Sequence, residues 1–293
     1  MAEKLFRVEI SGDLDPYRAD QKVVIFHGVN KSGSMCFANV FRKAYIAGSR
    51  REQFYCHYHA PRYEWDTLLR RIESSTPHAL FISHNLYGAV KTKSHQVFAT
   101  MFRHPLPRIV SGYQWVKNRF VENGGKAEEF QTLEEFVEKG QGITWSQIAQ
   151  FGIGFDPEVR RKKWRHSTEQ TYQWCVENIE RDIGWFGIAE LFEETIFIFA
   201  ALCGILRVPA WKRDVRNPGR ALASELTPTS QELIRHFYRY DFELYERMLA
   251  VFQERLDRLE LKGDFDAYKS ACAGEYKERL LGSAETRKNA INI

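Results

Sequence analysis

The segment that begins at His27, HGVNKSGSMCF, joins an apolar run to an amphipathic stretch through small residues, hydroxyls and one lysine. A buried strand that feeds such a turn and then a helix exposes backbone N–H groups, which bind anions together with the helix dipole. Gly28 and Gly33 have the separation of the two glycines in the GxxxxGK[ST] loop that binds nucleoside triphosphates. The spacing therefore indicates a phosphate-binding turn, and a glycine turn with a solvent-exposed lysine is the alternative.

The residues after Gly33 differ from that loop in their chemistry. Ser34 and Met35 stand where the triphosphate loop has its lysine and its magnesium-binding hydroxyl. The nearest lysine, Lys31, lies inside the turn instead. We therefore expect the turn to hold a phosphate or a similar anion without the machinery for ATP hydrolysis.

A second segment with suitable chemistry, FRHPLPRIVSGYQW, runs from Phe102 to Trp115. Arg103 directly follows an apolar strand candidate, and Ser111 falls about two turns into the helix that the prolines introduce. A guanidinium and a hydroxyl suit a terminal phosphate, because the guanidinium binds phosphate oxygens bidentately. The segment predicts a phosphate clamp, and a salt bridge that caps the strand is the alternative.

Three histidines also lie at strand candidates. His57 and His59 project from one face, because side chains in a strand repeat every two residues, but the spacing identifies no third zinc ligand. We therefore expect no metal there, and the alternatives are histidines at a sheet edge or contacts with an acceptor. Of the two, His59 is favoured for the acceptor contact because it lies at the strand end near the expected cleft. His84 ends another strand candidate, and with an ordinary pKa of about 6.5 it can accept a proton near neutral pH.

The elements that must position these residues follow a regular rhythm. Strands are predicted over 22–27, 53–59, 79–83 and 97–102, with helices over 34–47 and after Pro61. Strand, helix, strand in this order is typical of a parallel sheet with helices on its faces and a ligand site at the carboxyl ends of the strands. The predicted fold class is α/β, with a central parallel sheet flanked by helices.

The rest of the chain is predicted to be mainly helical. Its predicted order is polar helices and loops over 118–166, helices from 168, a strand at 184–188, a loop over 213–220 and a long helix from about Pro228. We expect one domain over 1–293, in which 22–120 form the nucleotide-binding core and 121–293 complete the cleft.

The composition is that of a globular protein rather than a disordered or fibrous one. The 293 residues are 44% hydrophobic and 27% charged, with a formal net charge of +4. So small an excess gives no argument for nucleic acid, although a local basic cluster can hold an anionic ligand. The apolar run from Thr195 to Leu206 is short of the roughly 20 residues that a membrane span needs, and the N-terminus has no apolar signal core.

The five cysteines are scattered, and no pair has CxxC spacing. Neither a zinc knuckle nor a disulfide framework is indicated. We expect reduced thiols and a cytoplasmic location.

Together, the two phosphate segments resemble the sulfotransferases that use 3'-phosphoadenosine 5'-phosphosulfate (PAPS), most nearly the heparan sulfate 2-O-sulfotransferase-like and bacterial carbohydrate sulfotransferase branch. Its phosphosulfate loop reads roughly PKT[AG]STSF, and this chain has NKSGSMCF. Its GHxx[YF] strand end is matched by SHNLYG from Ser83. Its RDPxxRxxSxY segment is matched by Arg103, Pro105, Arg108, Ser111 and Tyr113. Weaker similarity continues at 187–190, 216–217 and 241–245.

The resemblance implies a P-loop-like sulfotransferase fold that transfers a sulfuryl group from PAPS to an acceptor hydroxyl on a carbohydrate or glycoconjugate, without a metal. His84 matches the catalytic base, and Lys31 matches the residue that offsets charge on the leaving oxygen. The acceptor-binding positions are Tyr87, which the GHxx[YF] match gives, and His59, which its place at a strand end gives. The donor-binding positions are Lys31, Ser32, Gly33, Ser34, Met35, Cys36, Arg103, Ser111, Arg216, Asn217 and Arg220.

The chain departs from this branch at a few positions. Asn30 replaces a proline, Met35 and Cys36 replace hydroxyl residues, and His104 replaces an aspartate. The lost hydroxyls leave backbone N–H groups and the loop serines as donors to the anion.

Two other functions remain open. A P-loop kinase or NTPase is disfavoured by Ser34 and Met35, which stand in place of the lysine and the hydroxyl. A nucleotide-binding module without turnover is disfavoured by the presence of both Lys31 and His84.

Overall fold

The computed structural model describes residues 4–12, 23–29, 31–56, 65–84, 87, 96–140, 146–152, 168–211 and 226–273. The strands are β1 (Leu5–Gly12), β2 (Val23–His27), β3 (Phe54–Cys56), β4 (Leu80–Ser83), β5 (Gln96–Phe102), β6 (Ile183–Ile188), β7 (Arg207–Pro209) and β8 (Leu259–Gly263). The helices are α1 (Ser34–Ala47), α2 (Trp65–Ser74), α3 (Pro105–Glu122), α4 (Leu133–Glu138), α5 (Gln147–Gly152), α6 (Glu169–Asp182), α7 (Phe192–Leu202), α8 (Pro228–Phe237) and α9 (Arg239–Asp257).

A five-stranded parallel sheet in the order β3-β4-β2-β5-β6 forms the centre of the fold. Every residue of β2 and β4 is buried, as is usual for parallel strands covered on both faces. The α/β class with a central parallel sheet flanked by helices is therefore confirmed. Each of the five strand candidates contributes a strand, and for the candidate at 53–59 the residues after Cys56 lie outside the described ones.

Helix α1 packs on this sheet through stacked aromatic rings. The ring of Phe37 stacks on Phe26 of β2 with 4.2 Å between centroids, and Phe199 of α7 meets Phe37 edge-on at 4.8 Å. Such contacts add to the burial energy because offset and edge-on pairs suit the ring quadrupoles. The stack holds the start of α1 beside the end of β2, which fixes the loop between them.

A second sheet, antiparallel and of three strands in the order β7-β1-β8, lies outside the predicted pattern. Phe6 and Val8 of β1 are buried, whereas Arg7 and Glu9 between them are exposed. This alternation is typical of a strand with one covered face. The sheet adds three short strands to a fold whose C-terminal half is otherwise mainly helical, as predicted.

The predicted long helix from Pro228 is instead two helices, α8 and α9. They are separated at Tyr238, whose φ of −116° and ψ of 23° depart from helical values. The 213–220 loop lies outside the described residues. Within the described ranges no helix is long and apolar enough to cross a membrane. The extent of a single domain over 1–293 stays a prediction.

A buried ion pair joins α3 to α9. Nη2 of Arg108 lies 2.9 Å from Oδ1 of Asp241, and the two side chains are 2% and 0% exposed. The same carboxylate oxygen accepts the backbone N–H of Gln147, at the start of α5, at 2.7 Å. Burial raises the pKa of Asp241, and the nearby Arg108 cation opposes that rise. One carboxylate therefore connects three helices.

Removal of Arg108 leaves the Asp241 carboxylate buried without its cation. We expect Arg108→Met to lower the free energy of unfolding by about 3–5 kcal/mol, the usual cost of breaking one side of a buried pair. Without the cation the pKa of Asp241 rises further, so the folded variant holds a proton that the unfolded chain releases. The stability of the variant therefore falls as the pH rises from the pKa of Asp241 in the unfolded chain to its higher pKa in the folded variant.

Urea unfolding at mildly acidic and mildly alkaline pH measures both effects. The matched control is Arg119→Met, which removes an exposed cation from the same helix. Equal losses of stability in the two variants would contradict the structural role of the buried pair.

Candidate functional site

The carboxyl ends of β2, β4 and β5 meet at one edge of the parallel sheet. His27, the last residue of β2, pairs with Ser83 of β4 and with Thr100 of β5. The pairing continues one residue further, because the N–H of Gly28 donates to the carbonyl of Ser83 at 2.8 Å. The residues that follow these strands are thus brought to the edge where open α/β sheets bind their ligands.

The loop between β2 and α1 contains two left-handed residues. Lys31 has φ 66° and Gly33, the N-cap of α1, has φ 87°. Glycine adopts this conformation readily, whereas for lysine it costs roughly 1–2 kcal/mol. The first bond within the helix runs from the N–H of Phe37 to the carbonyl of Gly33 at 3.0 Å. The backbone N–H groups before Phe37 lie at the positive end of the helix dipole, which suits an anion.

The two serines of the loop differ in their partners. The hydroxyl of Ser34 donates to the carbonyl of Val29 at 3.2 Å. Ser32 is fully buried, and among the described residues its hydroxyl has no hydrogen-bond partner. A buried hydroxyl in that state is costly, and a bound anion that reached it would remove the cost. On the first turn of α1, Met35 is exposed and Cys36 is half-buried.

The imidazole of His84 directly follows β4 and contacts the loop. Its Nδ1 forms a hydrogen bond with the carbonyl oxygen of Gly28. Because a carbonyl only accepts, Nδ1 carries the proton, and Nε2 is the nitrogen able to take one up. A Cβ at position 28 would lie 3.2 Å from Nδ1, so the glycine permits this close approach.

The guanidinium of Arg103 reaches from the end of β5 to the loop. Its Nη1 donates to the carbonyl oxygen of Lys31 at 2.6 Å. That bond uses one of the five N–H donors that a guanidinium presents in a planar fork. The predicted phosphate clamp and the predicted catalytic lysine are therefore in direct contact.

One face of α3 closes this side of the site. The ammonium of Lys31 lies 4.9 Å from the centroid of the Trp115 ring, within the range of a cation–π interaction. Ser111 lies one turn before Trp115, so the two side chains project from the same face of the helix. The structure thus brings Lys31 into contact with Arg103 and Trp115, and Ser111 is buried one turn before Trp115. A contact of Ser111 with Lys31 or Arg103 stays a prediction.

His104 caps α3, at the position where the RDPxxRxxSxY segment has its aspartate. Its Nδ1 accepts the N–H of Leu106 at 3.3 Å. Burial lowers the pKa of His104, which favours the neutral ring that can accept this bond. Glu190, after β6, accepts the N–H of His104 and the hydroxyl of Tyr245, each at 3.1 Å. The ends of β5 and β6 are joined in this way.

Tyr87, one of the two predicted acceptor contacts, lies in the core. Its side chain is 4% exposed and packs edge-on against Phe98 and Phe151. Its hydroxyl donates to Asp182 at 2.7 Å, and burial raises the pKa of that hydroxyl. These contacts hold the protein together, and a role of Tyr87 toward the acceptor stays a prediction.

Several predicted positions lie outside the described residues, namely His57, His59, Arg216, Asn217 and Arg220. In the part of the chain that the structure describes, no three His, Cys, Asp or Glu side chains are grouped to hold a metal ion. The expectation that no metal takes part stays a prediction.

Sequence reasoning missed two side chains of this region, Trp115 and Gln147. For Trp115 a signal existed, because it follows Ser111 by one helical turn. Gln147 brackets the main chain of Arg103: its Oε1 accepts the N–H at 2.8 Å and its Nε2 donates to the carbonyl at 3.0 Å. No local pattern predicts a contact between residues so far apart in the chain.

Comparison with known proteins adds one match. The profile of the Sulfotransferase family matches residues 16–246, well over half of the 293 residues. The matched interval includes the β2–α1 loop, His84, Arg103 and Asp241. No curated protein matches the chain.

The bond to Gly28 determines which nitrogen of His84 carries the proton. We expect the neutral ring to be the Nδ1–H tautomer, because the Gly28 carbonyl cannot donate. Long-range ¹H–¹⁵N correlation spectra, recorded above the pKa of the ring, measure the tautomer directly. The signals that disappear in His84→Gln assign the residue, and a proton on Nε2 of the neutral ring contradicts the arrangement.

Proposed function

The chain belongs to the sulfotransferase family and is a transferase, and we propose that it moves a sulfuryl group from PAPS to an acceptor hydroxyl. The observation that carries the proposal is the pair of contacts at the sheet edge, His84 on Gly28 and Arg103 on Lys31. They bring an imidazole and two cations to the β2–α1 loop, which supports transfer to a hydroxyl, because that reaction needs a base and positive charge at the leaving group. Within the family, the motifs favour the heparan sulfate 2-O-sulfotransferase-like and bacterial carbohydrate sulfotransferase branch.

The β2–α1 loop fits the anionic end of the donor. The left-handed residues Lys31 and Gly33 turn the backbone toward the start of α1, and the buried hydroxyl of Ser32 would gain a partner from a bound anion. When bound, PAPS supplies the activated sulfuryl group. The proposed loop contacts are Lys31, Ser32, Gly33, Ser34, Met35 and Cys36.

A second set of contacts would hold the 3'-phosphate, the group that distinguishes this donor from ATP. Arg103 contacts Lys31 from the end of β5, and Ser111 would contribute its hydroxyl from α3. A guanidinium binds a phosphate through two parallel hydrogen bonds, and a hydroxyl adds a further donor. On the family resemblance, Arg216, Asn217 and Arg220 complete the nucleotide site.

In the proposed reaction, Nε2 of His84 takes the proton of the acceptor hydroxyl while that oxygen forms its bond to sulfur. Lys31 stabilises the negative charge that develops on the bridging oxygen of the donor, between phosphorus and sulfur, as the bond from sulfur to this bridging oxygen breaks. The oxygen leaves with adenosine 3',5'-bisphosphate. The bond from Nδ1 of His84 to Gly28 holds the ring in the tautomer that this step needs.

We propose a carbohydrate or glycoconjugate as the acceptor, on the resemblance alone, with His59 and Tyr87 as contacts. For Tyr87 this contact requires its hydroxyl to exchange Asp182 for the acceptor. A cytoplasmic location, expected from the scattered cysteines, belongs to the same proposal. The net charge of +4 gives no reason to add a nucleic acid partner.

Ligand preference tests the donor. Adenosine 3',5'-bisphosphate should raise the melting temperature without added metal, because a ligand that binds only the folded state stabilises it by mass action. ATP with magnesium should raise the melting temperature less, because it lacks the 3'-phosphate. Thermal unfolding with each nucleotide at equal concentration makes the comparison. Equal or greater stabilisation by ATP with magnesium would favour a P-loop kinase or NTPase.

Two variants separate the base from the cation. His84→Ala should keep its affinity for the bisphosphate and lose roughly 10²-fold or more in turnover, the usual loss when a general base is removed. Lys31→Ala should lose both affinity and turnover, because the lysine contacts the donor before and during transfer. Calorimetry with the bisphosphate and single-turnover transfer measure the two quantities, with an acceptor found by mass spectrometry of products from labelled PAPS.

Matched controls are His236→Ala, an exposed histidine on α8, and Lys117→Ala, a half-buried lysine in the C-terminal part of α3. Neither should change affinity or turnover. Transfer by His84→Ala at the rate of the unaltered protein would move the base to another residue, and His59 is then the next candidate.

A further inference from the structure

The main chain at the junction of β5 and α3 is held by a side chain from another part of the fold. Oε1 of Gln147 accepts the N–H of Arg103 at 2.8 Å, and Nε2 donates to the carbonyl of the same residue at 3.0 Å. Two residues of neighbouring antiparallel strands exchange both bonds in this way. Arg103 is therefore fixed as if β5 continued for one more paired residue.

Gln147 is itself firmly held. The residue is fully buried, and its backbone N–H donates to Oδ1 of Asp241 at 2.7 Å. The same oxygen binds Arg108 at 2.9 Å, and Arg108 lies on the helix that follows Arg103. Hydrogen bonds and one ion pair thus link Arg103 to Gln147, Gln147 to Asp241, and Asp241 to Arg108, which lies on the helix that follows Arg103.

We propose that Gln147 is a positioning residue that fixes Arg103 for the 3'-phosphate of the nucleotide. The inference rests on the proposed function, in which Arg103 is the clamp. Gln147 holds the main chain of the arginine, while the carbonyl of Lys31 holds its guanidinium at 2.6 Å. Both ends of the arginine are constrained before a nucleotide binds, so less conformational entropy is lost on binding.

The chemistry of the side chain explains why a glutamine is needed. An amide carries one acceptor and a pair of donors on one planar group, which matches an N–H and a carbonyl on the same residue. An ionised glutamate presents only acceptors, and one of them faces the carbonyl of Arg103. A methionine has the length of glutamine but makes neither strong bond.

The variants are chosen to separate positioning from simple stability. Gln147→Met keeps an unbranched, buried side chain and removes both bonds to Arg103. Its matched control is Gln150→Met, on the same helix and also buried, whose amide donates to the carbonyl of Ser146 at 3.5 Å. Both variants remove a buried amide, so both are expected to lose stability. Gln147→Glu is the intermediate case, since it keeps an acceptor for the N–H of Arg103.

Two measurements on the full chain test the proposal. Calorimetry gives the affinities for adenosine 3',5'-bisphosphate and for 5'-AMP, which lacks the clamped group. Hydrogen exchange without nucleotide, read on peptides covering 102–107, reports the amide of Arg103. Pro105 and Pro107 contribute no amide to these peptides, so the amide of Arg103 is one of four, with those of Phe102, His104 and Leu106.

We expect Gln147→Met to weaken binding of the bisphosphate about tenfold, which corresponds to about 1.4 kcal/mol, and binding of 5'-AMP less than about twofold. Exchange at 102–107 should become faster in this variant and stay unchanged in Gln150→Met. Gln147→Glu should fall between Gln147→Met and the unaltered protein in both measurements.

Three results would overturn the inference. Unchanged exchange at 102–107 in Gln147→Met shows that the amide does not hold Arg103. Faster exchange with an unchanged preference for the bisphosphate shows that the held main chain does not serve the clamp. Equal weakening of both nucleotides assigns Gln147 a role in the whole site. Failure of the proposed function is distinct, because the unaltered protein then shows no preference for the bisphosphate over 5'-AMP.

Discussion

The parallel register of β2 with its two neighbours is the constraint on which the site depends. His27 is level with Ser83 on one side and with Thr100 on the other, so the residues that follow all three strands reach the same edge. A shift by one residue in either pairing would turn the side chains of a strand to the opposite face. The contacts of His84 with Gly28 and of Arg103 with Lys31 exist only in the observed register.

Residues from the helical half of the chain hold in place the site residues that follow the strands of the sheet. Asp241 lies far along the chain from Arg103, yet it reaches the arginine through Gln147 and secures α3 through Arg108. Glu190 holds the main chain of His104 directly, because its carboxylate accepts the N–H of that residue. The groups proposed to react are therefore concentrated in one short part of the chain, whereas the groups that hold them come from distant parts.

Local patterns in the sequence predict what local forces decide. The apolar run of β2, the turn at Gly33 and the start of α1 are visible in consecutive residues, and the structure has them at the predicted places. β1 was missed because its partners, β7 and β8, lie near the other end of the chain. Gln147 gave no signal for the same reason, and the similarity at 241–245 did not reveal the partners of Asp241: a buried hydrogen bond between distant residues leaves no periodicity. The buried hydroxyl of Tyr87 likewise donates to Asp182, a partner that spacing does not reveal.

The cation–π contact between Lys31 and Trp115 gives the loop a fluorescent neighbour. The indole is 39% exposed, and the Lys31 ammonium lies 4.9 Å from the centroid of its ring. The emission of an indole responds to a charge so near, and on the proposed function a nucleotide that drew the ammonium away would change that emission. The difference in fluorescence between the unaltered protein and Trp115→Phe isolates this signal from the rest of the seven tryptophans. Trp115 is therefore a natural fluorescent probe for the proposed binding of a nucleotide to the loop, and its use needs neither a label nor a known acceptor.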